Sequence, residues 1–205
     1  MNVSPKRARI CIFYCVLGIL FCAAAIAAAF YFDEAARELI SRHQSRTVKI
    51  LMLDVGRFAD WPEHFAAGLL LSAIAWWRGR RKWARIFLSM LIALALAGVV
   101  GYGIKMSTGR ARPSVKAEQV WRGPRLSSKF HAFPSGHVLA SSAFFAVLAF
   151  ARWRIGLPCL AIPALIGFSR VYVRAHYLSD VVCAGVIGVL CGLLVWRIAA
   201  TRAGP

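Results

Sequence analysis

Long apolar runs alternate with shorter polar stretches along most of the chain, and their lengths are the first clue to its structure. A helix needs about 20 mostly apolar residues to cross a bilayer. Runs close to that length lie at about 10–32, 61–77, 86–104, 135–150, 155–173 and 178–198. The pattern predicts an all-α integral membrane bundle of six transmembrane helices. Pro163 falls inside the fifth run, where neighbouring helices can satisfy the carbonyl it frees. The first run ends in alanines, as a signal-peptide cleavage region does, but it is longer than a usual signal core and reads as a retained span.

Two polar stretches interrupt the pattern. In 35–53, charged residues mix with Leu39, Ile40, Val48, Ile50 and Leu51, which predicts a helix lying at the interface or forming a cap. The stretch 105–134 is punctuated by Gly109, Pro113, Gly123 and Pro124 and reads as a loop with short helical pieces. Together they predict a periplasmic loop and cap region on a single membrane-embedded domain, 1–205, with no internal repeat.

Composition agrees with this reading. Of the 205 residues, 60% are hydrophobic, and the mean hydropathy of +0.62 is too apolar for an ordinary soluble domain. Lys plus Arg number 26 against 8 Asp plus Glu, a net charge of +18. In a soluble protein such a balance would first suggest nucleic acid. Here the bases cluster between apolar runs and no nucleic-acid-binding motif occurs, so no nucleic-acid partner is expected. The six cysteines all lie in apolar runs without a C-x-x-C pair, which argues against zinc or a disulfide framework.

Charge also sets the expected orientation. Arg78, Arg80, Arg81, Lys82 and Arg85 crowd one very short loop, a strong cytoplasmic marker. With six spans, Lys6, Arg7, Arg9, Arg152, Arg154, Arg197 and Arg202 share that side, and both termini are cytoplasmic. All eight acids, from Asp33 to Asp180, fall on the other side. So do Lys105, Arg110, Arg112, Lys116, Arg122, Arg125, Lys129, Arg170 and Arg174, against the positive-inside tendency. An anionic substrate at that face would explain them.

Three groups of polar residues lie at span mouths on that face. In Pro134-Ser135-Gly136-His137 a turn meets the start of an apolar helix. Gly136 permits close approach to the backbone, Ser135 is placed to cap the helix, and unpaired N–H groups there can hold an anion. His137 stands beside them, able to transfer a proton near neutral pH. His176 and Asp180 are four apart, so on a helix they would share a face. Asp180 could then accept a proton from one imidazole nitrogen and leave the other free to attack. Lys105, Arg112 and Arg170 add the positive charge that a transferring phosphoryl group requires. His131 reads as a solvated loop histidine, and His43 and His64 suggest no role. Arg110, Arg122, Arg125 and Arg174 suit a second phosphate, a lipid headgroup or interface anchoring equally.

In these motifs the chain resembles the type 2 phosphatidic acid phosphatase superfamily of membrane lipid phosphate phosphatases. Lys105-x6-Arg112-Pro113, Pro134-Ser135-Gly136-His137 and Ser169-Arg170-x5-His176-x3-Asp180 match its three motifs in order. The resemblance implies hydrolysis through a phosphohistidine, without metal or cofactor, at the periplasmic face of a bacterial inner membrane. His176 would be the nucleophile, Asp180 its orienting partner, and His137 the acid and then the base. Lys105, Arg112, Arg170, Ser135 and the Gly136 N–H would hold the phosphoryl oxygens, with Ser169 adding a hydrogen bond or only structure. Candidate substrates are undecaprenyl diphosphate, phosphatidylglycerol phosphate, phosphatidic acid and lipid A phosphates. Two other readings are a vanadate-dependent haloperoxidase, whose family holds vanadate with similar residues but is soluble, and a non-enzymatic cationic lipid-binding membrane protein.

Overall fold

The computed structural model describes residues 5–58, 60–115 and 117–201. The far-side base Lys116 and the tail base Arg202 therefore lie outside the described residues. The elements in order are α1 (Pro5–Tyr31), α2 (Asp33–His43), α3 (Arg46–Arg57), α4 (Trp61–Trp77), α5 (Arg81–Thr108), α6 (Gly136–Ala151), α7 (Trp153–Cys159), α8 (Ala161–Tyr172) and α9 (Leu178–Thr201). Among the described residues there is no strand, only an isolated bridge between Arg110 and Trp121.

Four stretches are long and apolar enough to cross a membrane: Ile12–Tyr31, Arg81–Thr108, Trp153–Tyr172 and Leu178–Thr201. Helix α6 is apolar but has 16 residues, and α4 has 17, both short of the usual crossing length. Much of α1 exposes large apolar side chains, including Ile12, Phe13, Leu17, Ile19 and Phe21. A helix apolar on every face and uncovered by protein fits a lipid environment.

Helices α5, α6 and α9 form the centre. Met90, Leu94 and Ala97 from α5 meet Leu139, Ala143 and Val147 from α6, and Ala184 and Cys191 from α9 close the cluster. Lipid chains are as apolar as leucine, so such helices associate through close packing, which small residues allow. Gly188 and Gly192 show this: a Cβ at either would sit 2.6 Å from the Leu139 carbonyl oxygen or 2.8 Å from that of Ala143. Any side chain there would push α9 away from α6.

Several elements differ from the sequence expectation. The stretch 35–53 is two helices, because the chain breaks at Gln44–Ser45. Gln44 Nε2 donates to the Tyr172 carbonyl at 2.6 Å and the Ser45 N–H donates to the Tyr172 hydroxyl at 3.0 Å. Ser45 then caps α3, its Oγ accepting the Val48 N–H. The fifth apolar run is likewise split at Leu160 into α7 and α8, three residues before Pro163, whose ring nitrogen has no proton to continue the ladder. Helix α5 continues past its expected end, so Lys105 stands in its last turn.

Candidate active site

The C-terminal ends of α5 and α8 and the N-terminal ends of α6 and α9 meet at one end of the bundle. Lys105 comes from the last turn of α5, Gly136 and His137 from the first turn of α6, and Arg170 from the last turn of α8. Asp180 opens α9. The Ser135 N–H donates to the Asp180 carbonyl at 3.1 Å, joining the starts of α6 and α9. A Cβ on Gly136 would lie 3.1 Å from Lys105 Nζ, so the absent side chain makes room for the ammonium beside the helix start. His137 feels the charges of Asp60, Arg170, His176 and Lys105, and His176 those of Asp180, Lys105 and Arg112. Groups from all three motifs are thus close enough for their charges to act on one another.

The two histidines sit differently. His176 is buried, in a turn rather than on a helix, because α9 begins only at Leu178. The expected shared helical face with Asp180 is therefore absent; instead the turn, with Arg174 at φ 58°, folds the ring back over the helix start. His176 Nδ1 is 2.7 Å from the Ala132 carbonyl and 3.5 Å from Asp180 Oδ2. A carbonyl only accepts, so Nδ1 carries the proton and Nε2 keeps its lone pair. Burial lowers the His176 pKa below the ordinary imidazole value, while the Asp180 carboxylate opposes that shift. Asp180 also accepts the Tyr177 N–H on Oδ2 at 2.8 Å, so it serves the helix start as well as the histidine.

His137 is only partly covered, and its Nε2 lies 3.5 Å from Asp60 Oδ1. Asp60 caps α4 through the Trp61 N–H. His64, assigned no role from sequence, helps fix this corner. It is buried, with Nδ1 2.8 Å from the Asp60 carbonyl and Nε2 3.0 Å from Ser141 Oγ on α6.

Ser135 occupies the N-cap position of α6, but its side chain makes no capping bond, contrary to expectation. Its Oγ is fully buried and has no partner among the described residues. Ser169 Oγ donates to the Ile166 carbonyl at 2.8 Å and accepts from Arg170 Nε at 3.3 Å, so it steers the arginine. Arg170 Nη2 also donates to the Met52 carbonyl on α3. A Cβ on Gly56 would fall 1.3 Å from that same nitrogen, so α3 offers Arg170 a seat that only glycine leaves open. Arg112 Nε donates to the Ser128 carbonyl at 3.1 Å.

Three of the open candidates have side-chain partners within the protein. His131 is a loop residue whose Nε2 is 2.7 Å from the Arg125 carbonyl. Arg122 Nε donates to the Gln119 carbonyl. Arg110 is neither an interface anchor nor exposed to a headgroup; it is 4% exposed and paired with Asp33 and Asp180. No spacing rule links Asp33, Gly56 or Asp60 to the motifs, so sequence reasoning missed them. Their one shared signal is an acid or a glycine in a stretch next to a span.

Beside the pocket, an apolar groove of about 490 Å³ opens between α4, α5 and α6. Trp61, Phe65, Leu94, Gly98, Tyr102 and Leu139 line it, and it ends at Lys105 and His137. Among the described residues no three His, Cys, Asp or Glu side chains gather as a metal site.

The family model of the PAP2 superfamily matches residues 86–203, more than half of the chain. The chain belongs to the PAP2 superfamily. Within that superfamily it is 34% identical over 110 residues to a lipid A 1-phosphatase of Rhizobium johnstonii, covering 51% of this chain and 44% of that protein. It is 35% identical over 66 residues to the undecaprenyl-diphosphatase BcrC of Bacillus subtilis, covering 32% and 34%. The matched stretch thus spans less than half the length of these curated PAP2 relatives. A crystal structure of a transmembrane PAP2 type phosphatidylglycerolphosphate phosphatase from Bacillus subtilis superposes with a TM-score of 0.69 at 21% identity. That match covers 91% of this chain and 94% of the other. At that identity the likeness shows the shared PAP2 fold.

Proposed function

We propose that the protein is a lipid phosphatase of the bacterial cytoplasmic membrane, cleaving a lipid phosphate or diphosphate through a phosphohistidine on His176. The observation that carries this reading is the apolar groove that ends at Lys105 and His137. A groove with greasy walls and a cationic end suits a molecule with a hydrocarbon chain and a phosphate head. The three cations beside two histidines supply the charge and the proton that phosphoryl transfer needs.

In the first step the Nε2 lone pair of neutral His176 attacks phosphorus. A P–N bond forms as the P–O bond to the lipid breaks, and His137, protonated, gives its proton to the departing oxygen. Water then attacks phosphorus while His137 takes one of its protons. The P–N bond breaks, phosphate leaves, and both imidazoles return to their starting states. Lys105, Arg112, Arg170, the Ser135 hydroxyl and the Gly136 N–H hold the non-bridging oxygens. The unpartnered Ser135 Oγ and the start of α6 favour that assignment. No step calls for a metal or cofactor.

The bundle is proposed to cross the membrane six times, with α4 and α6 as short crossings, both termini cytoplasmic and the pocket periplasmic. The segregation of acids from the Arg78–Arg85 cluster supports this orientation. The substrate is one of lipid A 1-phosphate, undecaprenyl diphosphate, phosphatidylglycerol phosphate or phosphatidic acid; the first three are the substrates of the relatives' names.

The test is phosphate release by purified full-length protein in detergent, across these four lipids, with and without excess chelator. At least one lipid is expected to turn over in chelator, with inhibition by vanadate and loss of about 10⁴-fold or more in His176→Ala. No release from any lipid, or equal release by His176→Ala, would sink the reading. Halide oxidation with vanadate would replace it by the haloperoxidase.

A further inference from the structure

Behind the His176–Asp180 pair lies a second layer of charge that the three motifs do not include. Arg110 Nη1 donates to Asp180 Oδ1 at 2.6 Å and to Ser179 Oγ at 2.6 Å. Its Nη2 donates to Asp33 Oδ2 at 2.7 Å. Asp33 in turn accepts the Ser179 N–H on Oδ1 at 2.8 Å and the Ser179 hydroxyl on Oδ2 at 2.5 Å. Arg110 and Asp180 are 4% and 0% exposed, and Asp33 is 9% exposed as a residue. Trp121 and Tyr177 close over the guanidinium at 4.7 and 4.2 Å from their ring centres.

Charges this deep are retained only where each meets a partner, because desolvation costs several kcal/mol per ion. The pairing is directional as well. Arg110 holds one edge of the Asp180 carboxylate, on Oδ1, while Ser179 braces the same guanidinium nitrogen and Asp33. The other oxygen, Oδ2, is thereby left facing Tyr177 N and, at 3.5 Å, His176 Nδ1. Asp33 fixes the far side of Arg110 and also Ser179, the residue before Asp180. It stands at the junction of α1 and α2, well before the family-matched residues 86–203.

We propose that Arg110, seated by Asp33, is the positioning residue for Asp180, holding its carboxylate so that Oδ2 faces the His176 ring as well as the Tyr177 N–H. This rests on the phosphatase reading above. Among the described residues Arg110 makes no hydrogen bond to His176 or His137, so its route to the reaction runs through Asp180. A purely structural tie between α2 and α9 would instead act whether or not Asp180 is ionised.

The experiment places Arg110→Gln and Asp33→Asn in the wild-type and Asp180→Asn backgrounds of the full-length protein. The readouts are kcat and KM on whichever of the four lipids the wild type hydrolyses fastest, with size-exclusion profiles to check folding. In the wild-type background kcat is expected to fall about 10–100-fold for Arg110→Gln, and less for Asp33→Asn, with KM nearly unchanged. In the Asp180→Asn background neither is expected to lower kcat by more than about 3-fold, since partners in one chain of action are not additive. Equal losses in both backgrounds, an unchanged kcat, or a change in KM alone would overturn the proposal. If Arg110→Gln does not fold, the Asp33→Asn pair decides by the same criteria. A wild type inactive on all four lipids would fail the phosphatase reading itself and take this proposal with it. An active wild type with additive variants fails the positioning role only.

Discussion

His176 and Asp180 are 3% and 0% exposed and meet protein partners on their ring nitrogen and carboxylate oxygens. Across the pocket, His137 and Lys105 border a groove whose lining residues Phe65 and Tyr102 are exposed. One wall is therefore held by protein partners, and the other is open. Preorganised groups act on the transition state, while groups at an open mouth act mainly on binding. The two walls should then fail differently: damage to the buried wall lowers kcat, and damage near the open side raises KM.

The largest effect tests the buried wall. Asp180→Asn is expected to lower kcat by about 10²–10⁴-fold with KM nearly unchanged, measured by phosphate release under saturating lipid. A rise in KM with kcat intact would erase the distinction between the walls. Next comes Arg170, reached through its seat. Gly56→Ala places a methyl where Arg170 Nη2 lies, and the flexible tip, rather than the backbone, must move. About a 10-fold rise in KM or in the inhibition constant for vanadate is expected, with an unchanged melting profile. Collapse of the fold instead would make α3 a structural prop alone.

The open side gives smaller effects. A Cβ at Gly98 meets nothing within 4 Å, so the side chain of Gly98→Leu starts into open space and narrows the groove. KM for a long-chain lipid phosphate is expected to rise a few-fold, about 1 kcal/mol, while a short soluble phosphate monoester is unaffected. An equal change for both would detach the groove from the lipid chain.

The finest distinction is in pH. Burial lowers the His176 pKa, with Lys105 and Arg112 acting in the same direction and Asp180 against it. A ring titration by NMR of labelled histidine should show a midpoint below the ordinary value of about 6.5, and lower again in Asp180→Asn. The unfolded chain takes up this proton at higher pH than the folded one. The stability due to neutral His176 is therefore full above about pH 6.5 and is lost as pH falls towards the folded value. A midpoint above 6.5 would contradict the buried wall.

The long helices were legible because an apolar window as long as α5 or α9 has few alternatives. The motif residues were legible because each lies at a span mouth, and antiparallel packing brings those mouths together. The break between α2 and α3 was not, since bonds from Gln44 and Ser45 to Tyr172, far along the chain, create it. Asp33, Gly56 and Asp60 were illegible for the same reason: each acts on a partner that spacing cannot name. Ser135 shows the opposite failure. Its position promised a helix cap, yet the hydroxyl is turned away from that bond.

Under the proposed lipid phosphatase reading, the apolar groove between α4, α5 and α6 would also set which concentration the protein responds to. A substrate that arrives through it travels in the plane of the leaflet. Turnover would then follow its mole fraction among surrounding lipids or detergent, and adding inert detergent at fixed bulk molarity would slow the reaction as surely as removing substrate.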